Sequence, residues 1–205
     1  FPGYLFFQRI NKDIKSSIYY IKFPPEESSN EDTSIRLTNY ILSINEYKIK
    51  SKAILFNTDV YFKCNTMNCT NELIEKEKKQ NYQVYNKLFM NHWDTWLVEG
   101  KGSHLFIQEL ELQENKIILK NEVKDITQGM EINTPPLFTD SFNYDLSNDG
   151  TKIAFTAHLR NHYEAWDTGN KIYFMDLSKM KKPICITNHT AARTQNPVFS
   201  KDDTK

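Results

Sequence analysis

Lys171-Ile172-Tyr173-Phe174-Met175-Asp176-Leu177 decides the fold, because its pattern of polar start, aromatic centre and apolar end occurs twice more in the chain. The other copies are Ser17-Ile18-Tyr19-Tyr20-Ile21-Lys22-Phe23 and His104-Leu105-Phe106-Ile107-Gln108-Glu109-Leu110. After a polar spacer, each copy is followed by an apolar residue and a threonine: Leu37-Thr38, Ile126-Thr127 and Ile186-Thr187. A second element, Tyr144-Asp145-Leu146-Ser147-Asn148-Asp149-Gly150-Thr151-Lys152, is echoed 53 residues later by Pro197-Val198-Phe199-Ser200-Lys201-Asp202-Asp203-Thr204-Lys205. In each, Asp supplies a tight turn between two strands, and Gly150 offers the positive φ such a turn favours.

Around these copies lie further strand-length runs rich in Ile, Phe and Tyr, at 4–10, 53–56, 117–119 and 152–156. Short apolar runs separated by polar turns predict an all-β protein. The exception is 70–80, a stretch of strong helix formers with a charged face and Thr70 placed to cap it, which predicts one short inserted helix. Its mixed charges, Glu72 to Glu77 and Lys76 to Lys79, read as a solvated face.

Each repeat reads as strand, Ser-x-Asp turn, strand, strand ending in Asp-Leu or Glu-Leu, and edge strand ending in Thr. That is one blade of a β-propeller, whose four-stranded sheets recur at about 40–50 residues. The expected layout is a blade over 1–38 lacking its first strand, and a blade over 40–127 with an insertion at 58–103. A third blade covers 140–187, and 195–205 begins another. The fold class expected is therefore a partial β-propeller of about three four-stranded blades plus the start of a fourth. Propellers close with 4–8 blades, so these residues are expected to be an excerpt of a longer ring. The start at Phe1 and the stop after Asp202-Asp203-Thr204-Lys205 fit that expectation.

Composition narrows the function classes. The 205 residues carry 26 Lys+Arg against 26 Asp+Glu, a formal charge of zero. That balance removes the usual electrostatic reason to expect a nucleic acid or an anionic membrane as partner. At 39% hydrophobic and 13% aromatic the chain is too apolar for a disordered one, yet it has no run near the roughly 20 residues that cross a bilayer. The opening lacks the basic start and long apolar core of a signal peptide.

The insertion carries the most specific signal. Asp59-Val60-Tyr61-Phe62-Lys63-Cys64 leading to Cys69, the charged helix, and Val84-Tyr85-Asn86-Lys87-Leu88-Phe89-Met90-Asn91-His92-Trp93-Asp94-Thr95-Trp96 then Gly102-Ser103-His104-Leu105-Phe106 resemble the propeller domain of the prolyl oligopeptidase family. Within that family they are most similar to its dipeptidyl-peptidase 5 and acylaminoacyl-peptidase-like branch. Glu164-Ala165-Trp166-Asp167-Thr168-Gly169-Asn170 and the Ser-x-Asp turns fit it as well. The resemblance spans 45–205, with 1–44 matching only as blade pattern. Asn91 stands where the branch usually has Arg, Asn86 and Lys87 stand where it has Asp and Arg, and a Pro-Asp-Gly turn near 48–51 is absent.

The resemblance implies a serine peptidase with the propeller stacked on an α/β-hydrolase domain that holds the Ser, Asp and His. No Gly-x-Ser-x-Gly nucleophile elbow occurs here, and Gly100-Lys101-Gly102-Ser103 lacks the second spacing. No catalytic residue and no cofactor are therefore expected within 1–205, and the segment alone is expected to be inert. The resemblance further implies a small disulfide between Cys64 and Cys69. The sequons Asn68-Cys69-Thr70 and Asn188-His189-Thr190 make Asn68 and Asn188 candidate glycosylation sites, which suits a secreted or secretory-pathway protein. Cys185, left over in an apolar edge strand, reads as a buried thiol.

Two groups qualify as substrate-binding candidates. His92, Trp93 and Asp94 could line a chamber with a base, a ring and a carboxylate, or could lock blades by packing and a polar pair. Glu164 and Trp166 could hold a peptide's free amino terminus by a charge-assisted hydrogen bond and a cation–π contact. The plainer reading makes 161–170 a solvated loop with an anchoring Trp. His158 and His162 lack a third ligand and an HExxH frame, so no metal site is expected. The function expected is substrate gating for an exopeptidase that releases dipeptides or acyl-amino acids from peptide N-termini. Its partners would be short peptides and the C-terminal hydrolase domain, with no nucleic acid or membrane. The alternatives are a stand-alone propeller serving as a binding scaffold, or an inactive homologue, as Asn91 hints.

Overall fold

The structure, a computed structural model, describes residues 1–12, 15–23, 33–88, 90–92, 95–137, 139, 143–179 and 182–203, with His92 described in its backbone only. In chain order the elements are β1 (Tyr4–Ile10), β2 (Ser16–Lys22), β3 (Ile35–Arg36), β4 (Glu46–Lys50), β5 (Ala53–Tyr61), α1 (Met67–Glu77), β6 (Asn91–His92), β7 (Thr95–Trp96), β8 (Lys101–Gln113), β9 (Lys116–Asp125), β10 (Ile132–Asn133), β11 (Tyr144–Leu146), β12 (Lys152–Leu159), β13 (Lys171–Asp176) and β14 (Ile184–Cys185). All pairings are antiparallel. The expectation of a mostly-β chain with one short helix is borne out.

Three larger sheets follow one another along the chain: β1-β2-β3, then β4-β5-β8-β9, then β10-β12-β13-β14 with β11 beside β12. The middle sheet explains why 53–56 reads as an unbroken apolar run. Side chains alternate across a strand, and here both faces of β5 are covered. Ile54 and Phe56 join Ile18, Tyr20, Phe106 and Leu110 in one core. Ala53 and Leu55 join Leu105, Tyr144, Leu146, Ile153 and Phe155 in another. Each such buried side chain contributes roughly 1.5–3 kcal/mol over its exposed state, so the two cores bind the middle sheet to both neighbours.

The repeated threonines turn out to do one job three times. Thr38 Oγ1 accepts the backbone N–H of Ile18 at 2.9 Å, Thr127 Oγ1 that of Leu105 at 3.1 Å, and Thr187 Oγ1 that of Ile172 at 3.0 Å. The residue before each threonine donates its N–H to the same strand: Leu37 to Ile18 O at 2.8 Å, Ile126 to Leu105 O at 3.0 Å, and Ile186 to Ile172 O at 2.9 Å. Where the last two strands of each sheet separate, the hydroxyl thus replaces a ladder partner for a backbone donor.

Successive turns also dock on each other. Ser51 and Lys52, at φ 51 and 59, form the β4–β5 turn that stands in place of the missing Pro-Asp-Gly. Ser51 Oγ lies 2.8 Å from the carbonyls of Ser147 and Asn148. Asn148 and Asp149 in turn donate their N–H groups to the Asp203 carboxylate at 2.8 and 2.9 Å. Buried Asp145 ties the same neighbours, meeting Lys48 at 2.7 Å and Lys50 at 3.1 Å on one side and the Phe199 N–H at 3.0 Å on the other.

Several boundaries differ from the sequence reading. The helix starts at Met67 and is capped by Thr66, whose Oγ1 accepts from Cys69 N at 3.2 Å. Thr70 is instead fully buried and accepts the Tyr61 N–H. The strands expected at 53–56, 104–110 and 117–119 run on to 61, over 101–113 and over 116–125, because polar residues such as Asn57, Thr58 and Ser103 are buried and paired inside the sheet. Cys185 is half-buried rather than buried.

Candidate functional site

The insertion between β5 and β8 is assembled from short local devices. Cys64 and Cys69 form a disulfide with Cα atoms 5.5 Å apart, bracketing the Thr66 cap. The Thr70 hydroxyl fastens the first turn of α1 to the end of β5. Beyond the helix, 79–88 is mostly exposed, and Leu97 N, just past the paired β6 and β7, donates to Met90 O at 2.9 Å. Gly102 opens β8 where only a glycine fits, since a Cβ there would lie 2.6 Å from both Ile132 O and the Phe62 ring.

The loop after β12 meets this insertion. Arg160 N donates to Glu131 O at 2.8 Å, and Lys87 Nζ donates to Arg160 O at 3.2 Å. Arg160 Nη1 lies 3.2 Å from Glu164 Oε1, both side chains being buried. The contact is poorly aligned, and Oε1 is left without a hydrogen-bond donor. Burial raises the Glu164 pKa, against the pull of the Arg160 and Lys87 charges. Burial lowers the Arg160 pKa, against Glu164 and Asp59. The site is thus a near-neutral cluster of two cations and two anions, with one inward carboxylate oxygen able to accept a further N–H.

Glu164 is thus a buried residue within an otherwise largely exposed loop, in which Trp166 is 68% exposed. His92 lies in β6, its side chain outside the described residues, as are Trp93 and Asp94. Asn68 and Asn188 are exposed. His158 is half-buried, its pKa lowered chiefly by desolvation, and His162 lies against Tyr163 with ring centroids 3.8 Å apart and planes inclined at 41°. Among the described residues no group of three or more His, Cys, Asp or Glu could hold a metal ion.

Sequence reasoning missed Arg160 and the pair His104–Asp125. The spacing of Arg160 and Glu164, four apart, was the available signal for the first. His104 Nδ1 is 2.7 Å from Asp125 Oδ2, and Nε2 is 2.9 Å from Met130 O. The arrangement imitates the base and orienter of a hydrolytic triad, but with both nitrogens occupied the ring has nothing to offer a nucleophile. It links β8 to β9 and to the segment entering the third sheet.

Comparison with known proteins gives distant and partial matches. Over 142 residues the chain is 29% identical to a probable dipeptidyl-peptidase 5 of Arthroderma benhamiae, covering 64% of this chain and 19% of that protein. It matches the dipeptidyl-peptidase 5 of Trichophyton schoenleinii at 29% identity and that of Trichophyton equinum at 28%, with the same coverage of 64% and 19%. The matched stretch is thus about a fifth of the relatives' length. No family model matches the chain. No helix among the described residues is long and apolar enough to cross a membrane.

Proposed function

We propose that residues 1–205 are successive blades of a β-propeller that gates peptide access to a serine-type exopeptidase, one that removes dipeptides or acyl-amino acids from peptide N-termini. The observation that carries this reading is the recurrence of one hydrogen-bond device in three sheets that pack face to face in chain order. Radial repetition of equivalent sheets is how a propeller is built. The activity comes from the dipeptidyl-peptidases that the chain resembles at a distance. In this reading the nucleophilic Ser, its His and its Asp belong to an α/β-hydrolase domain beyond these residues, and the propeller admits short flexible peptides while excluding folded proteins. The disulfide and the exposed Asn68 and Asn188 support a secretory route.

Glu164 is the substrate contact that the geometry supports best: Oε1 is the acceptor for a peptide's amino terminus, taken in competition with Arg160. Trp166 and the His92-Trp93-Asp94 segment complete the proposed chamber wall. The test is made on the natural full-length protein with unblocked and acyl-blocked peptides and a serine-directed phosphonate. Release of dipeptides or acyl-amino acids and labelling of one serine outside 1–205 are expected. Neither release nor labelling would leave the scaffold reading in its place. Glu164→Gln is expected to raise KM for unblocked peptides alone, and an unchanged KM removes that assignment.

A further inference from the structure

The insertion holds a concave surface that the gating role does not use. Between the end of α1 and the β6–β7 hairpin lies a groove of about 710 Å3. Three aromatic side chains line it, Tyr82, Tyr85 and Trp96, together with the carboxylates Glu77 and Glu99. No lysine, arginine or histidine is among the described lining residues. Tyr85 and Trp96 sit with ring centroids 5.9 Å apart and planes inclined at 40°, so two π faces converge on one space. Trp96 is held there by the hairpin, and Glu99 is fixed at the rim by accepting both Asn86 N and Nδ2, at 3.0 and 3.1 Å. Tyr82 and Trp96 nonetheless remain 64% and 60% exposed.

From this we infer that the groove is a binding site for a peptide carrying a cationic side chain, lysine or arginine. Convergent aromatic faces attract an organic cation through their quadrupoles, most strongly when it is partly desolvated. Two carboxylates at the edge of the same groove, with no competing cation, supply the matching charge. A purely apolar ligand would fill the rings but leave the negative charge of the groove unbalanced. An anionic ligand would meet repulsion.

The site stands apart from the peptidase reading, and its test uses blocked peptides that present no free amino terminus to Glu164. Acetyl-Ala-Lys-Ala-amide and acetyl-Ala-norleucine-Ala-amide are titrated by calorimetry into the full-length protein after phosphonate treatment. The lysine peptide is expected to bind about tenfold more tightly than its uncharged twin, and to weaken as salt is raised. Trp96→Ala and Glu99→Gln should each bring the two affinities to within about twofold, with an unchanged unfolding midpoint. Should Trp96→Ala lower that midpoint, Glu99→Gln alone carries the test. Equal affinities in the unmodified protein, no binding of either peptide at millimolar concentration, or a lysine preference that survives Glu99→Gln would overturn the inference.

Discussion

Replacing the three repeated threonines by valine, one at a time, separates the hydroxyl's contribution from that of shape. In Thr127→Val the Leu105 N–H loses its acceptor at 3.1 Å, and Asp125 Oδ1 loses the hydroxyl it holds at 3.0 Å. Thr127 is fully buried, so no water replaces it. An orphaned buried donor costs roughly 1–3 kcal/mol and a bond to a carboxylate adds about 1, which gives about 3 kcal/mol in all. Thr38 is equally buried and serves Ile18 N, so Thr38→Val should cost about 2 kcal/mol. Thr187 is half-buried, its hydroxyl shared with Thr194 Oγ1 at 2.8 Å, and solvent can rescue the Ile172 N–H. Thr187→Val should therefore cost about 1 kcal/mol or less. Urea unfolding reads these differences as shifts in midpoint at constant slope. Serine at each position should recover most of the loss. If Thr187→Val proved the costliest of the three, or Thr127→Val cost under about 0.5 kcal/mol, the argument that buried backbone donors set the need for threonine would fail.

Three further outcomes follow from local geometry. Asp145 has its pKa lowered: burial pushes it up, but hydrogen bonds from Lys48, Phe199 N and Lys50 outweigh that. A depressed folded-state pKa means stability that is present above the unfolded carboxylate value and lost as pH falls through the folded one. Asp145→Asn should thus cost about 2 kcal/mol at neutral pH, discounted for the half-exposed lysines, and the gap to the parent should close in acid-titrated melts. Gly102→Ala forces a methyl against a backbone carbonyl and should cost about 1–3 kcal/mol in thermal unfolding, while Gly100→Ala meets no such atom and should cost only the roughly 1–2 kcal/mol of its left-handed backbone at φ 72. Thr66→Ala should lower stability by about 1 kcal/mol by removing the helix cap, whereas Thr66→Ser should not, as read by urea titration.

The β elements were legible because β2, β8 and β13 carry the same polar–aromatic–apolar order, and a sheet buried on both faces leaves a continuous apolar run. The function of the repeated threonines was not, since a hydroxyl in an edge strand looks the same whether it meets water or a backbone N–H. Thr70 reads as the cap because the strong helix formers begin after it, whereas Thr66 precedes the weaker Asn68-Cys69-Thr70, and only the fold of β5 against α1 shows that Thr70 is occupied elsewhere. The burial of Glu164 was not legible for a related reason. Charge in a loop implies solvation unless a partner is identified, and Arg160 on the preceding strand end was not weighed. The chamber candidates at Trp93 and Asp94 lie outside the described residues, so for them the sequence remains the whole account.

Asn148 is grasped from two directions, its carbonyl by Ser51 and its amide by Asp203. A turn used in this way has a fixed length. One residue added between Ser147 and Gly150 would disengage the preceding sheet and the segment around Asp203 together. The same addition after Lys78, where the chain leaves α1, breaks no junction between sheets. A change in chain length should thus cost far less in the insertion than in these turns.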